Sequence, residues 1–506
     1  MQTHFARIYS GELDGIRARC VEVEVDVHVG LHSFSIVGLA DKAVTEARER
    51  VGAALTNSGM KPPSRENRKI VVNLAPADMR KAGSQYDVAI AVGYLLSTEQ
   101  MGKFDGSRKM FVGELALDGS LRPVQGALNI ASMASLRGME ELYVPRANGA
   151  EAAIVSGIAI IPVGSLTELV AHLERRKTIA PAEHAGVCVP EAAIGSDIGD
   201  VRGQEHAKRA LVVAASGGHH VLMVGSPGSG KTMLAQAFAG ILPPMDYGEM
   251  MDVTQVHSAA GCLGGASCIA SRPFRAPHHT ASSPSVVGGG TYPRPGEISL
   301  AHRGVLFLDE FPEFRRDVVE SLREPLEAGK IAIARAKGSV SLPARFMLVA
   351  AMNPCPCGYA GDEKRGCSCG AHEIARYAKR ISGPVMDRID IQVSVPRVEL
   401  SDLTAGFGAG MNSATARGIV TRARAVQYAR GGRLNGELSS KQCEAVIGLD
   451  APGERFLEKA WKGALLSARG YYRVLKVART IADIEGSSGV SERHLAEAFG
   501  YRLRGA

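Results

Sequence analysis

Hydrophobic and polar residues alternate along the first part of the chain in ways that predict both strands and helices. From Cys20 to Val29, valine alternates with polar residues, which is typical of a strand with one buried face. Apolar residues recur at helical spacing over 41–57 and 86–96, and short apolar runs at 70–74 and 142–144 predict further strands. This mixture predicts an α+β domain at the start of the chain.

Changes in composition divide the chain into three domains and one linker. We expect the α+β domain to cover residues 1–175, and a stretch rich in Ala, Pro and Gly predicts a linker over 176–196. A glycine-rich domain follows over 197–400, and Ala, Leu, Arg and Glu at helical spacing predict a small helical domain over 401–506. The chain is therefore predicted to be an α/β protein with a helical C-terminal domain.

Composition and charge narrow the class of protein without identifying a partner. The chain has 506 residues, of which 45% are hydrophobic and 22% are charged, so it is neither disordered nor fibrous. Its formal net charge of +7 permits a polyanionic partner without requiring one. The sequence contains neither a signal peptide nor an apolar run of about 18 residues, so we expect a cytoplasmic protein without a membrane span.

One motif has the spacing of a phosphate-binding loop. The apolar run 221–224 predicts a strand, the segment 233–240 predicts a helix, and the residues between them match G-x-x-x-x-G-K-[ST]. The motif consists of Gly225, Ser226, Pro227, Gly228, Ser229, Gly230, Lys231 and Thr232. Glycines allow backbone N–H groups to surround phosphate oxygens, and a helix N-terminus adds positive charge. We predict that Lys231 binds the β- and γ-phosphates of ATP and that Thr232 ligates Mg²⁺.

Two further predicted strands end in residues suited to nucleotide hydrolysis. The run 305–308 precedes Asp309, which would hold Mg²⁺, and Glu310, which would polarise the attacking water. The run 346–352 ends at Asn353, whose amide could orient that water or contact the γ-phosphate. Together with the phosphate-binding loop, these residues predict an ATPase rather than a protein that only binds nucleotide.

Two segments in the second half of the chain contain arginines that are candidates for contact with the same nucleotide. With the segment 387–390, the order of elements resembles that of the AAA+ ATPases, and Arg388 matches the arginine finger that acts on a neighbouring subunit. The segment 467–479 resembles the sensor-2 helix, in which Arg473 is the first candidate for the γ-phosphate contact and Arg469 the second. A surface ion pair is the alternative role for Arg388.

A long insert separates the two nucleotide motifs, since Asp309 follows Lys231 by 78 residues. The insert contains several arginines and the adjacent histidines His278 and His279, which either contact phosphate backbones or only order the loop. A second basic element is predicted over 330–342, where two alternating runs surround a Lys–Gly turn and would form a hairpin.

The insert and the hairpin closely resemble those of the magnesium-chelatase-like AAA+ proteins of the ComM (YifB) type, and the resemblance covers nearly the whole chain. It implies a homohexamer with both elements in its central channel, where Lys337 at the hairpin tip and Arg335 would contact DNA. It also implies an ATP-driven motor that promotes branch migration in homologous recombination and natural transformation. Such a motor would act on single-stranded and branched DNA, together with other recombination proteins.

The first domain resembles the Lon-type protease fold through the segments 81–87 and 111–126. Lon proteases cut peptides with a serine activated by a lysine, but Gln85 occupies the serine position and Leu128 the lysine position. Ser84 is one residue from the nucleophile position, so a shifted register is an alternative. We expect a degenerate domain that serves as a scaffold or contacts DNA.

Four cysteines are clustered as two C-x-C pairs separated by nine residues. They are Cys355, Cys357, Cys367 and Cys369. Four thiolates can complete a tetrahedral structural Zn²⁺ site, and such clustering in a reducing compartment favours a metal over disulfides. Four reduced thiols in a mobile loop are the alternative.

Three other functions agree with parts of the sequence. A metal-insertion motor would share its ATPase domain with the small subunit of magnesium chelatase, although the fused first domain argues against it. An ATP-dependent protease would need the serine and lysine that are missing at positions 85 and 128. A DNA-binding ring without enzymatic activity would be excluded by ATP turnover that DNA stimulates.

Overall fold

A computed structural model of the protein describes residues 4–65, 67–184, 196–290, 294–335, 338–362, 365–398, 411–463 and 467–502. These residues form a strand-and-helix domain, a second domain around a parallel sheet, and a helical C-terminal region. Lys337 and most of the predicted linker lie outside the described residues. No helix of the described ranges is long and apolar enough to cross a membrane.

The first domain is built on one large sheet. Its strands are β1 (Phe5–Asp14), β2 (Arg17–Val29), β3 (Ser33–Val37), β4 (Arg68–Ala75), β5 (Lys109–Phe111), β6 (Glu114–Leu115), β7 (Leu121–Arg122), β8 (Glu141–Pro145) and β9 (Ala159–Val163). Seven of them pair in the order β3-β4-β2-β1-β5-β8-β9, and β6 pairs with β7. In β2, Val21, Val23, Val25 and Val27 are buried, which confirms the predicted alternation.

Helices pack against this sheet. They are α1 (Lys42–Thr45), α2 (Ala47–Asn57), α3 (Asp87–Ser97), α4 (Ala127–Leu136), α5 (Gly149–Ala152) and α6 (Leu166–Leu173), with 3₁₀ turns at Pro63–Arg65 and Arg146–Asn148. The helix predicted over 41–57 is thus divided at Glu46, whereas α3 agrees with the prediction over 86–96. Almost every residue of α3 is buried because β1, β2 and α2 surround it.

The second domain is built on a parallel sheet that positions the candidate site. Its strands are β10 (Val221–Val224), β11 (Phe274–Arg275), β14 (Val305–Leu308), β17 (Met347–Met352) and β18 (Ile391–Ser394), in the order β11-β14-β17-β10-β18. β10, β14 and β17 are short apolar runs, as expected for strands covered on both faces. Because all pairings are parallel, the carboxyl ends of the strands share one edge, here called the carboxyl edge, and the opposite edge is the amino edge.

The remaining elements of the second domain are helices and two hairpins. The helices are α7 (Glu205–Gly217), α8 (Lys231–Gly240), α9 (Tyr247–Ala260), α10 (Ser283–Val287), α11 (Glu297–Leu300), α12 (Arg316–Ser321), α13 (Arg323–Ala328), α14 (Ala371–Ala378) and α15 (Gly383–Met386), with 3₁₀ turns at Ile198–Asp200 and Phe311–Glu313. The hairpins pair β12 (Gly288–Gly289) with β13 (Arg294–Pro295) and β15 (Lys330–Arg335) with β16 (Gly338–Pro343).

The second of these hairpins confirms the element predicted over 330–342 but corrects its turn. Arg335 pairs with Gly338, so Gly338 belongs to β16 and is not part of a Lys–Gly turn. The alternating sequence alone leaves the register of the two strands open by one residue. Ile331 and Leu342 are buried against the second domain and fix the base of the hairpin.

The C-terminal region is helical, as predicted, and shares a core with the parallel sheet. Its helices are α16 (Ser413–Gly431), α17 (Ser440–Ile447), α18 (Ala451–Gly463), α19 (Ala468–Glu485) and α20 (Glu492–Gly500), with a 3₁₀ turn at Asn435–Glu437. Val474, Val477 and Ile481 of α19 are buried in the same apolar cluster as Val213 of α7 and Val221 of β10. The helices therefore dock on the second domain at a defined position.

The contacts between the first and second domains include those of α4 and of the β1–β2 turn. The side-chain amide of Asn129 in α4 donates hydrogen bonds to the Ile16 carbonyl at 2.6 Å and to the Gln255 carbonyl in α9 at 3.2 Å. The β1–β2 turn lies so close to the hairpin that a Cβ added to Gly15 would be 2.5 Å from Val340 Cγ1. Polar and apolar contacts thus join the two domains.

Candidate functional site

The phosphate-binding loop lies at the carboxyl edge, between β10 and α8. It consists of Gly225, Ser226, Pro227, Gly228, Ser229 and Gly230, followed by Lys231 and Thr232 in the first turn of α8. Gly230 begins the helix with φ +93°, in the left-handed region, and the space where its Cβ would lie is open. The Ser229 hydroxyl is buried and has no hydrogen-bond partner among the described residues. This concave, N–H-lined loop before a helix fits the phosphates of a nucleotide.

Lys231 lies inside this loop. Its ammonium donates hydrogen bonds to the Gly225 and Ser226 carbonyls at 2.7 and 2.9 Å, and to the Asn353 side-chain oxygen at 3.3 Å. Burial lowers the pKa of Lys231, and the negative charge of Asp309 partly opposes this effect. The lysine is therefore held at the point where the predicted phosphates would enter.

The predicted Mg²⁺ ligands and the predicted polar groups converge on the same edge. The Thr232 hydroxyl donates a hydrogen bond to the Asp309 carboxylate at 3.1 Å, although 77 positions separate them in the chain. Asp309 and Glu310 follow β14, and Asn353 follows β17, so the parallel sheet brings all three beside Lys231. A hydroxyl and a carboxylate at this distance are suited to share one Mg²⁺.

Glu310 has a partner that the sequence did not assign to it. The Glu310 carboxylate lies 3.1 Å from Nδ1 of His279, and the rings of His279 and His278 are 4.2 Å apart between centroids. His278 instead contacts the hydroxyl of Thr280 at 2.8 Å. The adjacent histidines therefore differ, because only His279 is placed to act on the carboxylate that would polarise water. The sequence alone indicates two roles for these histidines, contact with phosphate or ordering of the loop.

The two candidate arginines lie at the amino edge, not beside the phosphate-binding loop. Arg473 is 3.5 Å from the Asp390 carboxylate, and Asp390 immediately precedes β18. Arg388 donates a hydrogen bond to the Pro384 carbonyl at 2.7 Å and forms an ion pair with Glu327. Within one chain, Arg388 thus forms an ion pair, which the sequence analysis gave as the alternative to the role of arginine finger.

A buried charge network holds Arg473 in place. His219 contacts the Asp390 carboxylate at 3.0 Å and the Thr480 hydroxyl at 2.8 Å. Burial raises the pKa of Asp390, but the hydrogen bond from His219 and the charges of His219 and Arg473 outweigh burial and hold that pKa well below its usual range. Nη1 of Arg473 is buried, and no residue in the described part of the chain forms a hydrogen bond with it. The guanidinium is therefore fixed but still has an unused donor.

Strand length separates the two edges. From Asp390 to Val395, which lies beside Gly225, the chain advances five residues, or about 16 Å at strand geometry. A cavity of about 880 Å³ opens at the amino edge, and its basic lining includes Arg388, Arg469, Arg473 and Lys476. Arg473 and Arg388 consequently share one face, while the phosphate-binding loop of the same chain lies at the other edge.

The four cysteines lie next to the phosphate-binding loop. Their Sγ atoms all lie within 4.8 Å of one another. The loop that carries them also contains Asp362, whose carboxylate accepts a hydrogen bond from the Ser226 hydroxyl at 3.2 Å and pairs with Arg397 at 3.0 Å. Sequence reasoning missed Asp362 and Arg397, since no motif links either residue to the P-loop.

Gln85 and Leu128, the residues aligned with the Lon serine and lysine, are both held by contacts within the first domain. Gln85 donates a hydrogen bond to the buried Glu12 carboxylate at 2.8 Å, and the Ser84 hydroxyl is bound to Glu114. Leu128 is fully buried in the first turn of α4, where its N–H donates to Glu151 at 3.1 Å. Both positions therefore serve packing. On the DNA side, the backbone of Arg335 ends β15, and the predicted contact Lys337 lies outside the described residues.

Taken together, the parallel sheet, the phosphate-binding loop and the Asp-Glu pair define a P-loop ATPase with an AAA+-like arrangement. Family models agree: "Magnesium chelatase, subunit ChlI" matches residues 197–403, "Subunit ChlI of Mg-chelatase" matches 23–148, and "Magnesium chelatase, subunit ChlI C-terminal" matches 410–502. This family implies ATP as substrate and Mg²⁺ as cofactor, which the residues at the carboxyl edge fit.

Sequence identity to individual proteins defines the family more narrowly. The chain is 43% identical over 504 residues to Competence protein ComM of Haemophilus influenzae, which covers 98% of this chain and 97% of that protein. It is 41% identical over 489 residues to protein YifB of Salmonella typhimurium, covering 96% and 95% respectively. A stretch of 65 residues, 13% of the chain, is 43% identical to 10% of archaeal Lon protease from Archaeoglobus fulgidus. The chain belongs to the ComM/YifB family of magnesium-chelatase-like proteins and is a ComM-like ATPase.

Proposed function

We propose that the protein is an ATP-driven ring motor that moves DNA branches in homologous recombination, including recombination of DNA taken up in natural transformation. The relative named Competence protein ComM supports this role. The main support for a ring is the position of Arg388 and Arg473 at the amino edge. Because neither arginine can reach the nucleotide bound by its own chain, both would need the nucleotide of a neighbouring subunit. A homohexamer is the assembly we propose.

Each residue at the carboxyl edge has a role in this mechanism. Lys231 and the backbone N–H groups of the loop bind the β- and γ-phosphates of ATP, while Thr232 and Asp309 would hold Mg²⁺, which neutralises charge on the transferring phosphoryl group. Glu310 orients the attacking water and accepts its proton, and Asn353 positions that water from the end of β17.

Neighbouring subunits complete the site. Arg388 and Arg473 of one subunit contact the nucleotide of the next, where their charge stabilises the transition state. The basic cavity at the amino edge supports this arrangement, because it offers a triphosphate several cations at once. The Glu327 carboxylate holds Arg388 until the neighbouring phosphate competes for the guanidinium.

DNA passes through the channel of the proposed ring. The hairpin β15–β16 and the β12–β13 hairpin supply the contacts, and Arg335 and Lys337 are the proposed DNA-binding residues of the former segment. Single-stranded and branched DNA are the proposed substrates, and other recombination proteins the proposed partners. A change at the nucleotide reaches the hairpin through α13, which carries Glu327 and packs against β15.

The other regions have supporting roles. We propose that the cysteine cluster holds a structural Zn²⁺, and that residues 1–175 form a degenerate Lon-like domain that serves as a scaffold or contacts DNA. Gln85, which is hydrogen-bonded to Glu12, and the buried Leu128 argue against proteolysis. The proposed linker covers 176–196, the ATPase core 197–400 and the helical domain 401–506.

The proposal is tested by ATP hydrolysis with no DNA and with single-stranded, duplex and branched DNA, combined with sizing in the presence of nucleotide. DNA should stimulate hydrolysis, and Lys231→Ala should abolish it. Lys337→Ala should keep hydrolysis and lose branch movement. A chain that remains monomeric with ATP and DNA present, or that hydrolyses ATP at the same rate with every DNA, would refute the proposed motor.

A further inference from the structure

The four cysteine sulfurs have the separations of a metal site. The Sγ atom of Cys355 lies 3.3 Å from that of Cys357 and 3.6 Å from that of Cys367, and Cys357 and Cys367 are 3.6 Å apart. A disulfide would need about 2.05 Å. Tetrahedral thiolates around Zn²⁺, with Zn–S of about 2.3 Å, lie about 3.8 Å from one another. The separations are close to those of a tetrahedral zinc site.

Backbone N–H groups point at the same sulfurs. The N–H of Ala360 donates to Cys355 at 3.2 Å, that of Cys357 to Cys369 at 3.4 Å, and that of Cys369 to Cys367 at 3.4 Å. Such donors stabilise the negative charge of metal-bound thiolates and orient them. These three sulfurs thus receive a backbone hydrogen bond, which suits thiolates that bind a metal.

The loop between the cysteine pairs lies on the phosphate-binding loop. A Cβ added to Gly358 would be only 2.7 Å from Cδ of Pro227, so the two backbones are in direct contact. Beyond it, the almost fully buried carboxylate of Asp362 accepts the Ser226 hydroxyl at 3.2 Å. Ser226 and Pro227 are therefore held by a segment whose own ends are fixed at the cysteine cluster.

The geometry points to a Zn²⁺ site that braces the phosphate-binding loop, so that the affinity for ATP depends on the bound metal. This inference rests on the proposed binding of ATP at Lys231. With zinc bound, the contacts to Ser226 and Pro227 keep the loop in the shape that phosphates need. Without zinc, the phosphate-binding loop has to regain this shape when ATP binds, which lowers the affinity. Loss of the hydrogen bond from Ser226 to the Asp362 carboxylate alone corresponds to an affinity loss of about tenfold.

The test uses the full chain and two independent readouts, zinc per chain by elemental analysis and the Kd of a fluorescent ATP analogue. Cys367→Ser combined with Cys369→Ser should reduce zinc below half an equivalent and weaken the analogue about tenfold. Cys262→Ser, an exposed cysteine outside the cluster, is the matched control and should change neither value. Gly358→Ala should weaken the analogue, because its Cβ would meet Pro227 and its backbone has φ +86°, which alanine rarely adopts.

Removal of zinc from the wild-type chain by a chelator, followed by return of Zn²⁺, repeats the test without a substitution. Reversible loss of affinity supports the brace, even if the cysteine variant does not fold. Loss of zinc with an unchanged Kd would overturn the brace, and a wild-type chain that never retains zinc would overturn the metal site. A zinc-loaded wild-type chain that binds no analogue would overturn the proposed ATP site as well, which distinguishes the two failures.

Discussion

A subunit-mixing experiment tests where Arg473 acts. The guanidinium lies beside Asp390 at the amino edge, about 16 Å of strand length from the phosphate-binding loop of its own chain. A contact with phosphate needs about 3 Å, so Arg473 has to serve the nucleotide of a neighbouring subunit. Two variants separate the partners. Lys231→Ala removes the lysine but keeps the arginine, and Arg473→Ala does the reverse.

The proposed contact of Arg473 with a neighbouring subunit determines how much ATP hydrolysis each variant loses and how much the mixture regains. Each variant alone should lose nearly all hydrolysis, since removing an arginine that stabilises a transferring phosphoryl group costs about 10³- to 10⁵-fold. In a mixed ring, an interface is active where an Arg473→Ala chain supplies the loop and a Lys231→Ala chain supplies the arginine. Random assembly from equal amounts creates this pair at about one interface in four. The mixture should therefore regain about 25% of the wild-type rate.

The assay follows ATP turnover across mixing ratios at constant total protein. Lys231→Ala mixed with Glu310→Gln is the matched control. Both substitutions lie at the carboxyl edge, so every chain in this mixture has a defective nucleotide site and no interface can regain activity. Arg388→Ala should behave like Arg473→Ala when mixed with Lys231→Ala. Recovery with Arg388→Ala but not with Arg473→Ala would refute the reasoning, since Arg473 would then have to act within its own chain.

Three further predictions concern single residues. His279→Ala should raise the rate of ATP hydrolysis without DNA about two- to fivefold. The substitution removes an exposed ion pair, worth about 0.5–1 kcal/mol, from the carboxylate of the proposed base Glu310. A slower rate would contradict this role of His279. His278→Ala should not change that rate. Burial raises the pKa of Glu12 from 4.5 to about 7, so the folded chain keeps a proton that the unfolded chain releases. Stability should therefore fall by about 3 kcal/mol as pH rises from about 4.5 to about 7, and thermal unfolding of Glu12→Gln at pH 5 and 8 should lack that fall. Asp483→Asn should lower the free energy of urea unfolding by about 3–5 kcal/mol, because two arginines pair with this buried carboxylate. The exposed Asp317→Asn should leave that free energy nearly unchanged, and equal losses for the two variants would contradict the ion-pair network.

Much of the nucleotide site could be predicted because its parts follow local rules. Lys231 and Thr232 begin a helix after a glycine-rich loop, and Asp309 and Asn353 each end an apolar run. Parallel strands place such residues at one edge of the sheet whatever the rest of the chain does. The contact between Thr232 and Asp309 follows from this geometry.

Contacts between distant segments could not be predicted in the same way. Helical spacing indicates which face of α19 is apolar, but the packing of Val474 and Val477 against α7 decides that Arg473 reaches the amino edge. The partner of His279 depends likewise on how the insert folds back over β14. The approach of Gly358 to Pro227 joins segments more than 130 residues apart, and neither sequence contains a sign of the other.

The joint between the first two domains limits how the chain can be shortened. The β1–β2 turn lies against Val340, and α4 forms hydrogen bonds with α9. A fragment that starts after residue 184 would uncover the apolar side of the hairpin and leave the carbonyls of α9 without these donors. We expect such a fragment to aggregate.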